Sequence, residues 1–259
     1  MSRRSFLVSS TLFAVAAATK VQADTASSGF KVDGHVVLNA YQALVEEHLT
    51  NALSAIRALA ATSDAQTASW TSIGPALNRL SQDWKTDAAI WFAQPDGSYF
   101  STAGGKSSST LLDRDYFPNL TSGHDVLGSL VVSKSTGQPS IIVATPVIHE
   151  GHVVAAIGIS VSSLLMSKLV AKEFGFPDDL IFYAMNSKGQ TAIHADASKI
   201  FQFPATLGQT SLQSAVATIL SQPQGTVEYS FSGTQRTAIF SKSEAIPGWH
   251  FVLVQIAKS

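Results

Sequence analysis

From residue 88 to residue 161 the chain reads as apolar runs broken by short turn-rich connections, and this spacing constrains its fold more than any other feature. Ala88–Ala93 is a continuous apolar run of the kind a buried strand shows. Gln94-Pro95-Asp96-Gly97 follows as a turn signal, since Pro presets one turn dihedral, Asp bonds its own backbone and Gly takes positive φ. Ser98–Thr102 returns as the partner strand. A Gly/Ser/Lys-rich loop then leads to Asp113-Arg114-Asp115-Tyr116-Phe117-Pro118. Three further strands are expected over Gly128–Ser133, Ser140–Ile148 and Val153–Val161, joined at Thr136-Gly137-Gln138-Pro139 and His149-Glu150-Gly151-His152. Connections this short between apolar strands imply an antiparallel meander. Ser162–Phe174, with Leu164, Leu165, Met166, Leu169 and Val170, reads as a closing helix.

The pattern then recurs. Ala89–Gly97 aligns without gaps on Ile181–Gly189, an offset of 92, and both segments are an apolar strand and a polar turn closed by Gly. A helix around Leu212–Leu220 follows, then strands over Thr226–Phe231, Arg236–Ser241 and His250–Ile256, with turns at Ser232-Gly233 and Pro247-Gly248. Similarity on this scale points to a duplicated module. Upstream, Leu38, Tyr41, Val45, Leu49, Ala52, Ile56 and Leu59 recur at steps of three and four and line one face of a long helix, which Asp33 and Gly34 precede as cap-type residues. A second helix is expected from Pro75 to about Trp84.

Residues 1–23 read as an export leader. Arg3 and Arg4 form a basic start, Phe6–Ala18 is largely apolar, and Val21-Gln22-Ala23 is a small-x-small cleavage site. The apolar stretch falls short of the roughly 20 residues that a bilayer span needs. Ser2-Arg3-Arg4-Ser5-Phe6-Leu7 resembles the twin-arginine motif; an ordinary secretory leader with two arginines is the alternative. Either route places the mature chain in the bacterial periplasm or outside the cell. Residues 24–34 read as a linker. The expected organisation is a helical region over 35–85, a first unit over 86–175 and a second over 176–259.

Removing the leader takes away three bases and no acids, so the formal charge falls from −1 to −4, 14 bases against 18 acids. A weakly acidic chain carries no electrostatic footprint for nucleic acid. With no cysteine, disulfides, thiol nucleophiles and Cys-ligated metal centres are excluded.

Residues 35–259 resemble the double Cache family, the tandem PAS-like sensor module of bacterial chemoreceptors, histidine kinases and diguanylate cyclases. The resemblance rests on Arg114-Asp115-Tyr116-Phe117, Ser133-Lys134-Ser135-Thr136-Gly137-Gln138-Pro139, Ala144-Thr145-Pro146-Val147 and Ala156-Ile157-Gly158-Ile159-Ser160-Val161. It implies an α+β fold in which a long N-terminal helix packs along two PAS-like units with antiparallel sheets. It also implies a small-molecule pocket in the first unit, between the sheet and its covering loops.

In relatives that bind amino acids, the residue matching Arg114 holds the ligand carboxylate, and residues matching Tyr116 and Phe117 cover it. A guanidinium fork suits a carboxylate in charge and shape. The alternative is that Arg114 pairs internally with Asp113 or Asp115. Those relatives place an aspartate for the ligand ammonium where this chain has Ser160, and a tyrosine where it has Val131. Burying an ammonium beside a neutral hydroxyl leaves its charge poorly compensated. The resemblance therefore implies a carboxylate or a neutral solute, not a typical amino acid. Tyr99 and Ser133 are further pocket candidates. Trp91 and Phe92 are adjacent in a strand and face opposite ways, so one faces the ligand side and the other the core.

Other motifs carry less. His149-Glu150-Gly151-His152 lies at an expected hairpin tip without helical metal-ligand spacing. Gly104-Gly105-Lys106-Ser107 imitates the end of a P-loop, but the first glycine is replaced by Phe100. His194 and Asp196 follow a strand of the second unit and read as ordinary polar residues. No nucleophile elbow is present. The reading therefore assigns no catalytic residue, metal or cofactor, and leaves an enzyme without a catalytic constellation.

The sequence shows no membrane span or signalling module before Ser259, so the expected partner is a membrane-bound kinase or cyclase that receives the ligand signal. A transporter served by a solute-binding protein is the competing expectation. The Leu38–Leu59 stripe is open to two uses, a homodimer interface or packing on the chain's own units. The second unit, lacking an Arg-aromatic segment, is expected to be structural.

Overall fold

The computed structural model describes residues 32–83 and 89–257. The export leader, most of the 24–34 linker, Trp84 and Ala88 lie outside these residues. The long helix α1 spans Gly34–Ala60, and Asp33 caps it by accepting the His35 N–H at 2.8 Å. Short α2 spans Ser63–Gln66, and α3 spans Trp70–Asp83. The α3 start differs from the expected Pro75. Ser69 C=O accepts the Ser72 and Ile73 N–H groups at 3.1 Å each and begins the helix earlier, and Trp70 stacks on Phe100 at 5.3 Å. Pro75 sits inside the helix, where its ring removes one N–H donor.

The first unit is a six-stranded antiparallel sheet. Its strands are β1 Ala89–Ala93, β2 Ser98–Ser101, β3 Gly105–Thr110, β4 Val126–Val132, β5 Pro139–His149 and β6 His152–Ser162, in the order β3-β2-β1-β6-β5-β4. Short α4, Phe117–Thr121, precedes β4, and α5, Ser163–Phe174, follows β6 behind a Ser162 cap. β3 corrects the expected Gly/Ser/Lys loop. It is an edge strand, exposed over most of its length, so its side chains carry no apolar period, and pairing with β2 alone defines it.

The second unit repeats this plan with β7 Leu180–Met185, β8 Thr191–His194, α6 Thr210–Ser221, β9 Gln224–Phe231, β10 Thr234–Lys242 and β11 His250–Ile256. Its order, β8-β7-β11-β10-β9, matches β2-β1-β6-β5-β4. The aligned turns match in detail. Gly97 N–H donates to Gln94 C=O at 2.9 Å and Gly189 N–H to Asn186 C=O at 2.9 Å, with φ of 81° and 76°. Positive φ is the reason both turns close on glycine.

The Leu38–Ile56 stripe is fully buried against one face of both sheets, touching the core that holds Ile90, Phe92, Ile157, Phe182 and Phe251; Leu59 is half-buried at its end. The stripe thus packs on the chain's own units, the second of the two uses that the sequence left open. Phe92 faces this core, and Trp91 faces the other side of the sheet. Trp249 ties the units together by donating its indole N–H to the Gly128 C=O at 3.0 Å. A Cβ at Gly128 would lie 2.4 Å from Ile246, so the close approach needs glycine.

Candidate functional site

The outward face of the first sheet carries Trp91, Tyr99, Ile142 and Ala144, and the segment from Leu111 to Leu120 folds over it. Trp91 pairs with Gly158 across the β1–β6 ladder, and its indole lies flat on that glycine: a Cβ there would sit 2.0 Å from the ring. Tyr116, also buried, stacks on Trp91 at 6.3 Å between centroids. Burial pushes the Tyr116 phenol well above its ordinary pKa, so it remains a hydroxyl.

Six of the seven residues singled out from sequence line one cleft: Trp91, Tyr99, Arg114, Tyr116, Ser133 and Ser160. Phe117 does not. It heads α4 with its ring buried, in a separate crevice beside Leu120 and Ala156. The cleft is nearly closed, at about 10 Å³, close to the space one water needs. Val131 and Ile142 supply its apolar wall.

Arg114 donates from Nη2 to the Val132 C=O at 2.7 Å, while its Nε is buried without a protein partner. The neighbouring acids are engaged elsewhere, Asp113 with Lys134 at 2.6 Å and Asp115 with Lys188 at 3.4 Å. Lys134 is a residue that sequence reasoning quoted but did not assign to the site. Its ammonium bridges the Asp113 carboxylate and the Thr110 C=O at 2.6 Å, so the β4–β5 connection straps the cleft mouth. The Lys134 ammonium holds the Asp113 carboxyl below its usual pKa. The Ser135 and Tyr99 hydroxyls add a long 3.5 Å contact. Arg114 and Lys134 are the ionisable cations of the wall, and no carboxylate lines it. On its outer side, Arg114 also borders a polar groove of about 440 Å³ that reaches Asn186 and Lys188 of the second unit.

The His149–His152 segment is a hairpin tip, with Glu150 and Gly151 at φ of 49° and 79° and His152 Nδ1 3.0 Å from the Glu150 C=O. Among the described residues no helix is long and apolar enough to cross a membrane.

No protein-family model and no curated protein matches the sequence. Solved structures do match. The ligand-binding domain of the Pseudomonas aeruginosa PAO1 amino acid chemoreceptor PctB, in complex with L-Arg, superposes with a TM-score of 0.69 at 16% identity, over 86% of this chain and 93% of that one. The extracellular domain of the putative histidine kinase rpHK1S-Z16 gives 0.70 at 13% identity, over 86% and 92%. The Campylobacter jejuni chemoreceptor Tlp3 domain with 4-methylisoleucine gives 0.65 at 14% identity, over 85% and 88%.

Proposed function

We propose, from the double Cache fold that this chain shares with those sensor domains, that it is an exported sensor module whose first unit binds a small organic solute. The observation that carries the reading is the Arg114 cleft. Six residues from five separate segments converge on it, and Arg114 keeps a buried Nε without a protein partner. A buried guanidinium donor with no acceptor is costly, and a ligand carboxylate supplies the acceptor and the countercharge together.

The wall chemistry argues for a carboxylate, or a neutral acceptor, over a zwitterion. Two cations and no carboxylate face the cleft, and Ser160, buried on β6, offers only a hydroxyl. The PctB and Tlp3 structures hold L-Arg and 4-methylisoleucine; in this chain no acid stands at Ser160 or elsewhere on the cleft wall to meet an ammonium.

Entry requires the strap to lift. An exposed ion pair such as Lys134–Asp113 is weak, so an incoming carboxylate can replace Asp113 on Lys134 and engage Arg114. Seating it displaces Trp91 from Gly158, and β6 runs directly into α5. The ligand thereby favours one of two arrangements of the exit strand. The histidine kinase domains among the similar structures favour a membrane-bound kinase as the recipient.

A thermal-shift screen of the exported chain against organic acids, amines, amides and amino acids tests this reading. A bound solute well above its Kd raises stability by a few kcal/mol. The expected result is a carboxylate that stabilises the wild type and loses its effect in Arg114→Ala. Stabilisation by amines alone, or by no solute, contradicts it.

A further inference from the structure

The second unit contains a solute-sized cavity, against the expectation that it is purely structural. About 230 Å³ lies between the outward face of its sheet, α6 and the segment 196–207. Three polar groups on the wall are buried without a protein partner: Tyr183 Oη, Thr191 Oγ1 and Arg236 Nε. They come from β7, β8 and β10, so no local backbone requirement explains them together. Leaving one such group unpaired costs on the order of 1–3 kcal/mol, and three on residues that line one space is an arrangement that folding alone disfavours.

The chemistry of the wall is one-sided. All three groups can donate a hydrogen bond. Arg236 adds a fixed cation, held 4.7 Å from the Phe231 ring centroid, and Lys199 adds another. The one acid on the wall, Asp196, already accepts the Ser198 N–H at 2.9 Å. His194 Nδ1 accepts the Asp196 N–H at 2.7 Å, which leaves the ring proton on Nε2 and makes the imidazole a further donor. The rest of the lining is apolar, with Leu212 of α6 and Val254 of β11. For scale, an apolar cavity of about 150 Å³ holds benzene.

We propose that this cavity is a second binding site, for a small organic carboxylate with a ring-sized apolar body, its carboxylate on Arg236 and its body against Leu212 and Val254. Donors and cations outnumber acceptors, so a neutral ligand would leave Arg236 uncompensated. The site shares no lining residue with the Arg114 cleft and stands independently of the first-unit reading. It also touches the rest of the molecule at a defined point. Tyr183 presents its ring to the cavity, while its backbone C=O accepts the Tyr41 hydroxyl of α1 at 2.7 Å.

Isothermal titration of the full chain with benzoate, phenylacetate and hexanoate, and with benzamide as the neutral isostere, tests the proposal in wild type, Arg236→Gln, Thr191→Val and Arg114→Gln. At least one carboxylate should bind with a Kd below about 1 mM, as suits a ligand of this size. Benzamide should bind at least about tenfold more weakly. Arg236→Gln and Thr191→Val should each weaken the carboxylate about tenfold, and the same weakening should appear when either is made in an Arg114→Gln background, which removes any contribution of the first-unit cleft. Thr191→Val is nearly isosteric, so it carries the test if Arg236→Gln fails to fold. Absence of binding by all three acids overturns the proposal, as does equal binding of benzamide. Binding lost only in Arg114→Gln also overturns it, while leaving the first-unit reading intact.

Discussion

Tyr41 on the long helix donates its buried hydroxyl to the Tyr183 carbonyl at 2.7 Å, across 142 residues of chain. That bond fixes the helix to β7, the strand that carries one wall of the second-unit cavity. Replacing Tyr41 with Phe leaves a buried carbonyl short of one donor. We expect a loss of about 1–2 kcal/mol with an unchanged m-value, read from urea denaturation.

Gly158 is the seat of the Trp91 indole. Gly158→Ala puts a methyl group 2.0 Å from the ring, so the indole must leave its place over β6. The expected cost is about 2–3 kcal/mol, the upper range for overpacking. Adding Trp91→Leu should recover more than half of it, and the coupling in this double-mutant cycle measures the contact. Independent costs that simply add would show that the two residues do not meet.

Thr191 is fully buried with its hydroxyl unpartnered, although its backbone N–H donates to the Gln202 C=O at 2.9 Å. Thr191→Val keeps the shape and the backbone bond and removes the stranded hydroxyl. The ligand-free protein should gain about 1 kcal/mol in thermal or urea unfolding. A gain in stability combined with a loss of carboxylate affinity marks a group retained for binding.

His194 gives the stability a pH dependence of known sign. Burial holds its imidazole down at about 4, against 6.5 for the free group. Between those values the unfolded chain binds a proton that the folded chain does not, so stability falls as pH drops through this window. The expected loss from pH 7 to pH 5 is about 2 kcal/mol from this residue alone. His194→Asn keeps an acceptor for the Asp196 N–H and should flatten the slope by that amount. Asp96, Asp113 and Asp196 are held below their usual range and titrate at lower pH. His48 and His250 are also lowered by burial, so some slope remains in the variant.

Much of this fold was legible because its signals are local. The strand-turn-strand units ending at Gly97 and Gly189 announce themselves through residues that choose a turn by their own dihedrals, and the Leu38–Ile56 stripe fixes a helix and its buried face. β3 was not legible, because an exposed edge strand of Gly, Lys, Ser and Thr has no apolar alternation to read. The convergence of Arg114, Tyr116, Trp91 and Ser160 followed from the family resemblance. The closure of their cleft did not, since it depends on an indole lying over a glycine in the neighbouring strand and on Lys134 reaching Asp113. The second cavity escaped notice for a related reason. Tyr183, Thr191 and Arg236 stand on three strands with no shared motif, and only the folded sheet assembles them.

The most direct measurement of the first-unit claim is ¹⁹F NMR of the protein labelled with 5-fluorotryptophan, with the Trp91 resonance assigned by its loss in Trp91→Phe. A solute found by thermal shift should move that resonance saturably, with the Kd that governs its stabilisation, and Arg114→Gln should abolish the movement. A solute that stabilises the protein while the Trp91 resonance stays fixed would contradict the account and place the ligand outside the Arg114 cleft.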